Sequence, residues 1–160
     1  MEIFNYVWIL FIAVTIFNAY VLKFRSKKYI KAKPELEPGY EKLVKGILVY
    51  GNIPWVIVGI GNLFQYTNSL TDYLYLKTLN PFIILFYFSI LALWLLGIHW
   101  IYFKKGAEFL EEHPGLVVVK GGSNPENVSA KKIKLFFGII MISNLIFFVF
   151  LLYQINFIKP

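Results

Sequence analysis

The 160-residue sequence predicts an all-α integral membrane protein. The expected architecture is a single domain of four transmembrane helices in an antiparallel bundle, with both termini outside and a longer cytoplasmic loop between helices three and four. Three observations carry this prediction. The chain is 58% hydrophobic and 16% charged, whereas soluble domains sit near about 45–50% apolar. Its apolar residues fall into four runs, near 3–22, 43–63, 81–103 and 133–153. Each matches the ~20 residues that a helix needs to cross ~30 Å of hydrocarbon, where no other lipid-exposed backbone is tolerated. The basic residues, finally, gather in alternate connections.

The first run, 3–22, is preceded by Glu2 and followed by Lys23, Arg25, Lys27 and Lys28. A cleaved secretory signal has the opposite order, positive before apolar, so this run reads as a retained anchor with its N-terminus outside. The connection 23–42 contains Pro34, Pro38 and Gly39, which punctuate the chain before the second helix. Its lysines alternate with Glu35, Glu37 and Glu41, so it reads as a solvated ion-pair surface or as a contact for lipid headgroups.

The second run, 43–63, holds the stretch GNIPWVIVGIGN at 51–62. Pro54 lacks the N–H that would bond the Tyr50 carbonyl, so this helix should bend. At about 100° per residue, Gly51, Asn52, Trp55, Gly59 and Asn62 share one face roughly a quarter-turn wide. Small residues on one face let a neighbouring helix approach closely, so the stretch reads as a packing seam. Val58 lies just off that arc and should tolerate enlargement better than Gly59.

The short second connection carries Tyr66, Tyr73 and Tyr75, which are expected at headgroup level. Asn80 followed by Pro81 reads as a helix cap with proline in the first turn. The third helix should run past the membrane to about Glu112 and stop at Pro114–Gly115. Within 104–132, LVVVK is strand-like, and Ser123 to Glu126 forms a capping-box pattern for the fourth helix.

Positive charge sets the orientation. Connection one carries eight lysines and arginines, and connection three, counted as far as Lys134, carries six. Connection two has Lys77 alone and the C-terminal tail Lys159 alone, so fourteen of sixteen lie on one side. Both termini are therefore expected on the non-cytoplasmic side of a cell membrane. The pattern of spans resembles that of small multi-pass proteins of the bacterial inner membrane and transfers no functional residue.

The chemistry inside the spans is neutral. No Asp, Glu, Lys or Arg lies in the centre of any run, which argues against proton relays and ion-coupled sites. Asn52 and Pro54 fall near the middle of the second run, and Ser143 and Asn144 near the middle of the fourth. The amides of Asn52 and Asn144 are therefore expected to meet in an interhelical hydrogen bond. His99 and Trp100 belong to the interfacial belt, and His113 is expected at a solvated helix end. The chain has no cysteine, no paired intramembrane carboxylates and no nucleophile elbow, phosphate loop or zinc motif. No catalytic residue, metal or cofactor is expected. The net charge of +7 comes without a nucleic-acid-binding motif. The sequence thus favours a protein acting by association in the bilayer, as an accessory subunit or a self-assembling scaffold, with another membrane protein or its own copies as partner. An oligomeric channel or small-solute transporter, and an enzyme acting on lipid or quinone, are the alternatives.

Overall fold

The computed structural model describes residues 6–74, 80–116 and 128–153. Among these the chain is all-helical. Four helices are long and apolar enough to cross a membrane: Val7–Ala32, Pro34–Leu63, Pro81–Phe103 and Ala130–Phe150. Six α-helical segments occur among the described residues: α1 (Val7–Ala32), α2 (Glu37–Tyr50), α3 (Ile53–Leu63), α4 (Pro81–Ile98), α5 (Gly106–Glu112) and α6 (Ala130–Tyr153). Five of them lie in these spans, and α5 lies between the third and the fourth. The strand-like LVVVK, the capping box at Ser123 and the residue Tyr75 lie outside the described residues.

The first connection is much shorter than the hydropathy pattern implies. Helix α1 continues ten residues beyond Leu22, because the lysines, Arg25 and Ser26 that follow contain no glycine or proline to stop a helix. Pro34 ends it, since a residue before proline is pushed out of the α region. One 3₁₀ turn (Pro34–Leu36) leads into α2, whose first turn holds Pro38. All the basic residues assigned to this connection except Lys33 therefore stand on helical surface, leaving only residues 33–36 between α1 and α2.

Proline in a first turn recurs. Pro54 does not merely bend the second span. It splits it into α2 and α3 at Gly51–Asn52 and takes its place in the first turn of α3, where its missing N–H costs nothing. Pro81 opens α4 in the same way. There the expected cap is present: the Asn80 side-chain oxygen accepts from the Phe82 N–H at 2.9 Å, and its amide donates to the Tyr66 carbonyl at 2.6 Å. Asn80→Ala should cost about 1 kcal/mol, readable as a lower thermal midpoint in detergent.

Helix α3 ends with Gln65 at a positive φ of 59°. The Tyr66 N–H reaches the Gly61 carbonyl and the Gln65 N–H that of Asn62, which closes the helix end. At the other end of α4 the chain loosens into a π-helical turn (His99–Phe103), where the Lys104 N–H is shared between the carbonyls of His99 and Trp100. Lys105 then adopts φ 56°, so the third helix ends at Phe103 instead of running on to Glu112. The separate helix α5 carries the chain there, and Pro114 and Gly115 (φ 106°) follow its end.

Two buried clusters organise the packing. At the lysine-rich end, Leu22, Tyr40, Leu43, Ile101, Ala107, Leu110, Val128 and Ile133 join α1, α2, α5 and α6. Away from it, Val58, Tyr73, Ile83 and Phe86 form a second core, with Trp8 and Trp55 against it. Helix α1 packs along both α2 and α3, α3 packs on α4, and α5 on α6. Helix α6 meets α4 through rings: Tyr87 and Trp94 stand edge-on to Phe148 at 5.4 and 6.4 Å.

Candidate functional site

The residues singled out from the sequence, apart from Ser143 and Asn144, divide among three places. The first is the break at Gly51–Asn52. The Asn52 backbone N–H bonds the Val49 carbonyl, three residues back. Its side-chain amide donates to the Leu48 carbonyl at 2.7 Å, the acceptor its own N–H would have used in an unbroken helix. Asn52 thus satisfies the broken helix from within, and its Oδ1 is buried without a hydrogen-bond partner. The expected bond to Asn144 is not formed, because the Asn52 donor is engaged by its own helix and Asn144 lies on the exposed side of α6. Gly51 faces α1, where an added Cβ would lie 2.9 Å from the Thr15 methyl.

The second place is α3, which is squeezed from two sides. Trp55 stacks on Phe11 of α1, with ring centroids 3.9 Å apart. A Cβ on Gly59 would lie 2.7–2.9 Å from the Trp8 indole, so α1 approaches α3 closely at this position. The opposite face carries a second seam. A Cβ on Gly61 would run into the hydroxyl of Tyr73 and lie 3.0 Å from the Thr67 hydroxyl and 3.3 Å from the Phe82 Cβ. Tyr73 is completely buried rather than at headgroup level, because the 3₁₀ turn Leu70–Leu74 folds it back against α3. Burial pushes its phenol above the ordinary tyrosine range, although the hydrogen bond with Thr67 opposes this. Val58 is also fully buried, so it is not the permissive position its place off the arc implied. Asn62 accepts a hydrogen bond from Thr67 at 2.6 Å and so anchors the turn that carries Tyr73 inward.

The third place is the lysine-rich end. His99 is exposed and stacks on Phe103 at 5.9 Å. Trp100 covers Gly106, where a Cβ would lie 2.6 Å from the indole, and stands edge-on to Phe109. His113 is buried, at 6% exposure, and does not sit at a solvated helix end. Its ring stacks on Phe109 at 4.1 Å, meets Tyr40 edge-on at 5.2 Å and bonds the Phe109 carbonyl through Nδ1 at 2.8 Å. The Tyr40 hydroxyl donates to the Pro114 carbonyl at 2.8 Å, so the HPG stop docks onto the start of α2. The EPGY and HPG stretches were visible in the sequence, but nothing in their spacing showed that they meet, and Pro38 and Gly39 lie in the first turn of α2 and not in a turn before it.

Helix α5 is tied to α6 by Lys134 and Glu108, 2.6 Å apart and both partly exposed. The hydrogen bond from Lys134 is the main influence holding the Glu108 carboxyl below its ordinary range. A carboxyl depressed in the folded state contributes stability that is present above its unfolded pKa and lost as the pH falls through the folded value. Acidification should therefore loosen α5, seen as faster hydrogen exchange of its amides, and Glu108→Gln should flatten that response.

Ser143 and Asn144 occupy none of these places. Both are exposed on α6, and among the described residues neither side chain makes a hydrogen bond. No group of three or more metal-ligating side chains occurs among the described residues. Compared with protein-family models, with curated proteins and with solved structures, the chain matches none.

Proposed function

We propose that this chain is a non-catalytic multi-pass membrane protein that works by association with a second copy of itself through α6. The antiparallel arrangement, with the lysine-rich end in the cytoplasm and both termini outside, follows the charge asymmetry of the connections. The observation that carries the association is the uncovered amide of Asn144. It stands near the middle of the apolar run after Lys134, on a face whose neighbours Ile142, Leu145, Ile146 and Phe147 are all exposed. Lipid tails satisfy apolar neighbours but offer nothing to an amide, which costs about 2 kcal/mol or more to leave without a partner there. Asn18 on α1 is exposed too, but it lies four residues before Leu22, close enough to the headgroups to be wetted.

A carboxamide carries both donor and acceptor, so two copies related by a two-fold axis complement each other. Such interhelical bonds contribute roughly 0.6–2 kcal/mol. Transport through the bundle finds less support, since Asn52 turns inward to its own helix while Asn144 faces away, and the two do not share a path.

Native mass spectrometry from mild detergent tests the reading. The wild type should appear as a dimer or larger, and Asn144→Leu should weaken that association by roughly threefold to thirtyfold while the fold melts unchanged. A wild-type protein that stays monomeric at every concentration would remove the basis for it.

A further inference from the structure

We propose that the groove between α1 and α2 at the lysine-rich end binds the phosphate of an anionic phospholipid. A larger cavity of about 650 Å³ lies against α2, away from α1, but it is lined almost wholly by apolar groups, with one lysine at its edge. The α1–α2 groove, of about 530 Å³, is different. Lys23, Lys27 and Lys31 line it from one face of α1, four residues apart, and Lys45 faces them from α2. All four are exposed, and among the described residues none of them pairs with a carboxylate. Lys27 instead lies over the Phe24 ring at 5.8 Å.

Four ammonium groups around one groove repel one another, and an anion between them relieves that repulsion. Glu37 and Glu41 on the rim leave the groove with a formal excess of two positive charges, which suits a singly charged phosphodiester better than a polyphosphate. The depth suits a lipid. Lys23 is the first charged residue after the apolar run of α1, and Leu43 on α2 is buried beside Leu22 at the same level. The groove thus lies where hydrocarbon gives way to headgroups. Val44 gives the inner end of the groove an apolar surface for the glycerol end of the acyl chains, while Ile30 and the Tyr40 ring lie further out among the lysines. This site lies on other helices than the α6 face and stands whether or not the chain self-associates.

The test uses the full chain in nanodiscs of phosphatidylcholine with and without phosphatidylglycerol, followed by native mass spectrometry of the lipid it retains. The wild type should retain phosphatidylglycerol in preference to phosphatidylcholine. Lys23→Gln/Lys27→Gln/Lys31→Gln should weaken that retention by about tenfold or more, since each lysine near a membrane surface contributes on the order of 1 kcal/mol. Glutamine has nearly the helix propensity of lysine, so the exposed substitutions leave α1 intact. Lys104→Gln/Lys131→Gln/Lys132→Gln, which removes equal charge from the same end outside the groove, should leave retention unchanged. Equal loss in both triple variants, or equal retention of the two lipids by the wild type, would overturn the site in favour of diffuse attraction. Displacement of phosphatidylglycerol by inorganic phosphate alone would identify a soluble anion as the occupant and overturn the lipid assignment.

Discussion

Gly61→Leu should destabilise the protein by about 3 kcal/mol or more, and Gly59→Leu by about 1–3 kcal/mol. Both substitutions push a side chain into space that is already filled, but the neighbours differ in their freedom to yield. Opposite Gly59 stands the Trp8 indole, only half buried on the first turn of α1, which can swing toward lipid. Opposite Gly61 stand the Tyr73 hydroxyl and the Phe82 Cβ. Tyr73 is fully enclosed, its backbone carbonyl accepts from the Tyr87 hydroxyl, and its ring packs edge-on against Phe86 at 5.1 Å. The Phe82 Cβ is fixed to the first turn of α4. Accommodating a larger residue at 61 means expelling Tyr73 from the core. Val58→Leu should also be costly, by about 1–3 kcal/mol, because Val58 has no exposed surface. Thermal melts in one detergent rank the three, and the expected order places Gly61→Leu lowest. A Gly61→Leu variant melting with the wild type would mean that Tyr73 does not pack against α3.

His113→Ala should cost roughly 2–5 kcal/mol, the range for emptying a buried site of that size. The ring sits between Phe109 and Tyr40 and directly over Gly39, whose missing side chain makes room for it. Removing it leaves a cavity where α1, α2 and α5 meet. Tyr40→Phe keeps the ring and loses only the 2.8 Å bond to the Pro114 carbonyl, so it should cost about 0.5–1.5 kcal/mol. The ratio matters: comparable losses would show that the hydrogen bond, not the ring packing, holds the HPG stop in place. Protease susceptibility near Pro114 would report the same loosening locally.

The four spans were legible because hydrophobic runs of that length have one stable form in a bilayer. The helix around them was less so. Hydropathy marks where lipid ends and not where a helix ends, so the lysine-bearing turns of α1 and α2 read as loop although no breaker precedes Pro34. Pro54 was legible as a disruption, but its repair by the Asn52 side chain was not, because an amide at that depth reads equally as a partner for another helix. Gly61 was a recoverable signal. Two glycines two residues apart point to opposite sides of a helix, and the pair at 59 and 61 therefore implies close neighbours on both. The inward turn of Tyr73 and the burial of His113 depend on contacts between segments distant in sequence, which local patterns do not encode.

The same asymmetry bears on association. Aromatic contacts hold α6 to α4 and the π-helical turn after it along one narrow line, through Phe148 and Phe137, while the other described side chains from 142 to 150 are exposed. Lipid suffices for every residue there except Ser143 and Asn144. Because the chain contains no cysteine, a single introduced cysteine reports on its own position without background. The most direct measurement is oxidative cross-linking of Asn144→Cys in intact membranes, beside Leu10→Cys on the lipid-facing side of α1, where Leu10 is 62% exposed. Self-association through α6 predicts covalent dimers from Cys at 144, which require the two backbones within about 7 Å, and none from position 10. A chain that stays monomeric at 144, or that cross-links equally at both positions, would contradict it.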